Sequence, residues 1–143
     1  MRSVLAGLLF LSAAAAAQQP ALPAVDLTIG MHRIRAEVAA DMGSRMQGLM
    51  FRKSMAAGAG MVFVFDEVTT HCMWMKNTYL PLSVAFIDEA GTIVNIADMK
   101  PQTEDSHCAA KPARYALEMN QGWFAQRGIK AGARLAGLPK PPR

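Results

Sequence analysis

One run of this chain concentrates side chains that could do chemistry: His71-Cys72-Met73-Trp74-Met75-Lys76-Asn77-Thr78-Tyr79-Leu80-Pro81-Leu82. Lys76, Asn77 and Thr78 bunch a cation, an amide and a hydroxyl at the end of an extended-looking segment. Facing a cleft, such a set holds a carboxylate, a phosphate or sugar hydroxyls, with Trp74 as an aromatic wall. A plainer reading uses the same residues: Asn77 and Thr78 satisfy turn backbone while Lys76 points at solvent.

Two further constellations compete with this one. The dipeptides His71-Cys72 and His107-Cys108 would meet if the cysteines bond. Reduced, those four side chains would make a zinc or copper set, with Met73 and Met75 suiting Cu(I). The spacing lacks the C-x2-C clustering of a strong zinc motif, so a Cys72–Cys108 disulfide is expected, with no metal and no cofactor. Closing that loop stabilises a small domain by roughly 3–4 kcal/mol on the chain-entropy model. The last constellation is an acid–base set. Glu37 and Glu118 each fall on the polar side of a predicted strand, within reach of Arg45, Arg52 or Lys76. Such a pair is structural or catalytic, and sequence does not separate the two. There is no G-x-S-x-G, no phosphate loop and no dinucleotide fingerprint.

The elements that must position these residues are mostly short strands. Residues 25–29 and 34–38 alternate apolar and polar with a period of two, each a strand with one wet face. Asp41 can cap a helix at its free first-turn amides. Met42, Met46, Leu49 and Met50 follow at helical spacing and read as a core stripe. Residues 54–60 read as a flexible loop. Residues 60–65 are apolar on both faces and predict a strand buried on both sides, ending in a polar turn over 66–70. Residues 72–75 and 81–87 look extended, and 73–75 is expected to be core strand. Asp88-Glu89-Ala90-Gly91 is a hairpin turn that returns into 92–97. A long polar loop, 98–112, carries Cys108. Residues 114–119 alternate again, with Arg114, Ala116 and Glu118 on the polar face. Residues 122–128 suggest a short helix, and 129–135 a final strand. The expected fold is mainly β, an antiparallel β-sandwich or partly closed barrel with one or two short helices.

The chain's ends suggest its compartment. Arg2, the apolar run over 4–17 and the closing alanines have the order of a secretory signal peptide, too short and alanine-rich for a spanning helix. The expected organisation is a signal peptide over 1–17, a linker over 18–24, one β-rich domain over 25–136 and a disordered tail over 137–143. A periplasmic or secreted location follows, with no membrane span after cleavage. Cleavage removes Arg2 and lowers the formal charge of +4 by one. So small a surplus, placed late in the chain, does not argue for nucleic acid. A monomer is expected.

Several motifs then occur in order: Arg45-x-x-Gly48-Leu49-Met50-x-Arg52, Gly60-Met61-x-Phe63-x-Phe65, Trp74-Met75-Lys76-Asn77-Thr78-x-x-Pro81-Leu82, Phe86-Ile87-Asp88 and Gly91-x-Ile93-Val94, with Glu118, Gly122, Gly128-Ile129 and Gly132 after them. Together they resemble the domain of unknown function 192 family over nearly all of 25–135. The resemblance implies an antiparallel β-rich domain, often exported, with no settled activity. The family's pattern often ends Gly-Asp, where this chain has Gly132-Ala133, so no acid is carried over there. It adds weight to Arg45, Lys76, Asn77 and Glu118 as one polar cluster.

These readings converge on one expectation. Arg45, Trp74, Lys76, Asn77, Thr78 and Glu118 line a cleft for a small anionic or sugar-like ligand, in an exported binding or accessory domain. Two alternatives stay open: a hydrolase or lyase with Glu118 as acid or base and Lys76 or Arg45 steadying negative charge, and a periplasmic copper or zinc protein using His71, Cys72, His107 and Cys108.

Overall fold

The computed structural model describes residues 21–143. The leader expected over 1–17 and the first part of the linker lie outside the described residues. The elements run β1 (Ala24–Ile29), β2 (His32–Ala39), α1 (Met42–Gln47), β3 (Ala59–Thr69), β4 (Cys72–Met73), β5 (Leu82–Ile87), β6 (Ile93–Met99), β7 (His107–Cys108), β8 (Ala113–Asn120), α2 (Trp123–Gln126) and β9 (Leu135–Ala136). A seven-stranded sheet has the order β6-β5-β8-β3-β2-β1-β9, and β4 and β7 form a separate pair. The large sheet curls into a half-barrel, so the mainly β fold with two short helices is as the sequence predicts.

The pairing is antiparallel except between β2 and β3. That one parallel pair departs from the all-hairpin expectation. Its cause is α1 and the loop after it, which together make the crossover of about a dozen or more residues that a parallel pair needs. Asp41 starts the crossover as read from sequence. Its carboxylate accepts from the Ser44 amide at 2.8 Å, and the Ser44 hydroxyl returns to the Asp41 backbone in a capping box. These bonds hold the Asp41 carboxyl below its ordinary range.

The sheet is buried on both faces, because side chains alternate on each strand and both sets are apolar. Val62 and Val64 of β3, Ala85 and Ile87 of β5, and Tyr115, Leu117 and Met119 of β8 join one core, with Trp123 and Phe124 of α2. Met61, Phe63 and Phe65, then Leu82, Val84 and Phe86, then Ala116 join the second, with Leu49, Met75 and Leu80. β3 and β8 approach closely at Gly60, where a Cβ would lie 2.5 Å from the Glu118 carbonyl oxygen and 2.3 Å from the Met119 sulphur.

Several local expectations change here. β3 continues through 66–69 as an exposed strand, so the polar turn expected there is absent; its buried part ends at Phe65. Residues 73–75 are not core strand. Trp74 is exposed and only Met75 is fully buried, because β4 stops at Met73. The supposedly polar face of β8 is covered, and Glu118 is only 4% exposed. The Met stripe is not core either: Met42 and Met46 are 76% and 61% exposed, while Leu49 is buried. The last strand is shorter and later than expected, at Leu135–Ala136.

Cys72 and Cys108 stand opposite each other in the β4–β7 register and are joined by a disulfide, 36 residues apart in sequence. At the chain's edges, the Pro23 carbonyl accepts from the Val38 amide at 2.7 Å. The tail carries no regular structure after Ala136. Leu138 nevertheless packs on the first core, and the Tyr115 hydroxyl donates to the Pro139 carbonyl at 2.9 Å.

Candidate functional site

The site begins with Glu118 on β8, between Met61 of β3 and Val84 of β5. Strand alternation sends it to the face of Ala116, into the second core. There its carboxyl makes no hydrogen bond or ion pair to another described residue. Its oxygens are not among the fully sealed unpartnered atoms, which are Arg114 Nε and Trp123 Nε1, so what exposure Glu118 keeps is at the carboxyl. Burial alone raises its pKa to about 8, so the group is mostly protonated at neutral pH. With no protein partner, the carboxyl's hydrogen bonds can only go to what enters the slot.

The carboxyl looks into a narrow slot of about 30 Å³, lined by Arg45, Gly48, Phe63, Trp74 and Thr78 as well as Glu118. That volume is ample for a water, hydroxyl or ammonium-sized group. The slot adjoins a groove of about 210 Å³ that shares Arg45, Met46, Phe63, Met73 and Trp74 with it and adds Met42, Phe65 and Cys72. Gly48 ends α1 with a positive φ of 47°, and a Cβ there would press on the Phe63 ring at 3.3 Å. Its lack of a side chain therefore lets the end of α1 lie over β3 and form the slot wall.

Arg45 reaches from α1 across to β3. Its guanidinium donates to the carbonyls of Ala40 at 2.7 Å and Val64 at 3.1 Å, and pairs with Asp66 at 3.0 Å. This ties it into the scaffold and leaves its other N–H groups for the slot. Thr78 is buried, and its hydroxyl donates to the Lys76 carbonyl at 3.0 Å. The turn carrying it is held from outside: the Met75 amide donates to Thr103, and the Gln102 amide to Thr78.

Four of the six expected residues therefore share the slot: Arg45, Trp74, Thr78 and Glu118. Lys76 and Asn77 are not in its lining. The Lys76 ammonium lies 5.2 Å from the Trp74 ring centroid, at the outer rim. Asn77 has a positive φ of 53°, which Asn tolerates better than most residues, and its carbonyl accepts from the Phe51 amide at 2.9 Å. The residue type at 77 is thus explained by backbone shape.

The other constellations resolve separately. Glu37 pairs with Arg52 through both carboxylate oxygens, half-buried, and stands in the same cross-strand row as Glu118 with Met61 between them. The Cys-ligated zinc or copper set is overturned, because the disulfide leaves no free thiol. Its histidine is also engaged: His71 stacks on Phe65 with ring centroids 3.7 Å apart, and its Nε2 donates to the Glu67 carbonyl. No cluster of three His, Cys, Asp or Glu suited to a metal occurs among the described residues. Sequence reasoning set Met73 beside the Cys–His set as a Cu(I) ligand but took Met42 and Met46 for a core stripe, whereas both are exposed at the groove. The signal was the choice of Met itself on a helix too short to bury a stripe.

Comparison with known proteins gives the family. The chain belongs to the domain of unknown function 192 family, described as "Uncharacterized ACR", which matches residues 25–137. One solved structure similar to it is a "putative transcription regulator" from Sinorhizobium meliloti, at 36% identity and a TM-score of 0.81, over 84% of this chain and 98% of that one. Another is a protein of unknown function from Novosphingobium aromaticivorans, at 33% identity and a TM-score of 0.78, over 91% of this chain and 99% of that one. No protein of curated function matches.

Proposed function

We propose that this member of the domain of unknown function 192 family is an exported binding domain, and that its ligand presents a hydroxyl-bearing, sugar-like group to Glu118. One observation carries the reading: a buried carboxyl without a partner ends a slot whose mouth is an exposed tryptophan. A protonated carboxyl both donates and accepts, which matches a hydroxyl. The exposed Trp74 ring offers a flat apolar face to the body of such a ligand. An anion fits less well, because Arg45 is already paired with Asp66 and Lys76 stands outside the slot. The slot takes only the tip of the ligand, so the body rests in the wider groove or on the Trp74 ring.

Titration of the protein with monosaccharides, cell-wall glycan fragments and small carboxylates, followed by Trp74 fluorescence and melting temperature, tests this. Binding by a hydroxylated ligand, lost in both Glu118→Leu and Trp74→Ala, is the expected result. A wild type that responds to none of these classes, or a Glu118→Leu variant that binds equally well, overturns it.

Export is supported by the order of residues in 1–17 and by the pairing of both cysteines, which suits an oxidising compartment. Sequencing the mature N-terminus from a periplasmic fraction tests it. An intact Met1 on protein confined to the cytoplasm removes that part of the proposal. The description of the S. meliloti relative as a regulator is not carried over, since the longer of the two described helices has six residues.

A second reading has one observation in its favour. A carboxyl with a pKa of about 8 is in the range of a general acid at neutral pH. The hydrolase or lyase it suggests lacks a second acid–base group in the slot, where Arg45 offers only donors and the Thr78 hydroxyl is donated to the Lys76 carbonyl. Turnover of a bound glycan fragment, abolished in Glu118→Gln, would favour it.

A further inference from the structure

We propose that the wide groove beside the Glu118 slot binds Cu(I) through the thioether sulphurs of Met42, Met46 and Met73. Met42 and Met46 lie one turn apart on α1, so they project from the same side of the helix. Met73 comes from β4, and all three line the groove of about 210 Å³. Packing does not account for the two helical methionines, which are 76% and 61% exposed. A flexible apolar side chain in water gains little there, yet its sulphur stays available to a metal.

The donor set selects the ion. Thioethers are soft and neutral, and they favour Cu(I) over hard or borderline divalent ions. The groove's lining adds no carboxylate or imidazole that would suit Zn²⁺. Neutral ligands need not lose a proton, so binding does not depend on a thiolate, and both cysteines are held in the disulfide. The one charge in the lining is Arg45, whose guanidinium is countered by Asp66 at 3.0 Å. Trp74 adds a ring face that already attracts a cation, since Lys76 sits 5.2 Å from its centroid. A monovalent ion suits this setting better than a divalent one, because it brings the least added charge beside Arg45.

This site stands on the methionines and does not rest on the sugar-like ligand reading. Met46, Met73 and Trp74 line both the slot and the groove, but Glu118 lines only the slot and Met42 only the groove, so variants at those two positions let the two proposals fail separately. The test uses purified, disulfide-intact protein without thiol reductant. Ag(I) serves first as a redox-inert probe. Cu(I) then follows anaerobically as its acetonitrile complex, in competition with bathocuproine disulfonate. The methyl resonances of Met42, Met46 and Met73 are expected to move at a single equivalent while exposed Met31 stays put, with Trp74 fluorescence quenched. Met42→Leu with Met46→Leu replaces two exposed side chains and leaves the core intact. That double variant should keep its melting temperature and bind at least about tenfold more weakly. Failure of wild type to compete for Cu(I), unchanged binding by the double variant, or equal shifts at Met31 would overturn the proposal.

Discussion

Glu118 of β8 stands directly opposite Met61 of β3 in the antiparallel register, in the middle of a seven-stranded sheet. A carboxyl at that position has hydrophobic neighbours on both flanking strands and one outlet, the slot under Trp74. Its placement is set by the sheet rather than by any partner.

A carboxyl desolvated without a protein hydrogen bond is destabilising, with about 1–3 kcal/mol as the upper range set by a fully buried unsatisfied group. Glu118→Leu should therefore unfold at higher urea than wild type, with binding lost. A fall in stability would mean that the carboxyl has a structural partner, and the site reading would go with it.

Stability should fall with rising pH because of the same residue. Burial raises the Glu118 carboxyl from its ordinary 4.5 to about 8. Between those values the folded protein holds a proton that the unfolded chain has released. The native state thus binds more protons, and the unfolding free energy declines as pH rises through that window, then levels off above it. Urea unfolding of wild type against Glu118→Gln isolates the effect, since an amide does not titrate. A difference between the two that is flat with pH would contradict the raised value.

The Cys72–Cys108 bridge closes a 36-residue loop that pins β4 and the wall of the groove to β7. Replacing both cysteines with serine should cost roughly 3–4 kcal/mol of unfolding free energy on the chain-entropy model. Quenching of the exposed Trp74 by acrylamide should also change as its wall loosens. Equal stability with and without the bridge would show that β4 and β7 hold together by their backbone pairing alone.

Asn77 separates backbone from binding roles. Its left-handed conformation suits glycine, so Asn77→Gly should change the melting temperature little, whereas Asn77→Val, with a branched side chain at positive φ, should cost about 1–3 kcal/mol. Both variants should bind ligand as wild type does wherever they remain folded. Loss of binding in a stable Asn77→Gly would return the amide to the site.

Much of the fold was legible because its signals are local. The period-two alternation over 25–29 and 34–38, the doubly apolar run 60–65, the Asp41 cap and the turn before Gly91 each depend on neighbours in sequence, and each has its counterpart in the structure. The Cys72–Cys108 pairing followed from an even count of two. Polar-looking strands misled where both faces of the sheet are covered. Arg114, Ala116 and Glu118 read as a wet face, but nothing local reveals that α1 and residues 72–80 fold over it.

The sequence alone determined the strands, the helix cap, the family resemblance and the importance of residues 74–78, because these rest on short-range pattern and residue type. The tertiary structure decided which members of that run share a site. It joined Trp74 and Thr78 to Arg45 and Glu118, and it set Asn77 to backbone work and Lys76 to the rim. It also turned an apparent core stripe, Met42 and Met46, outward to the groove. The reason is physical: burial and convergence depend on which distant segments cover a face, and α1 and β8, far apart in sequence, meet at the slot.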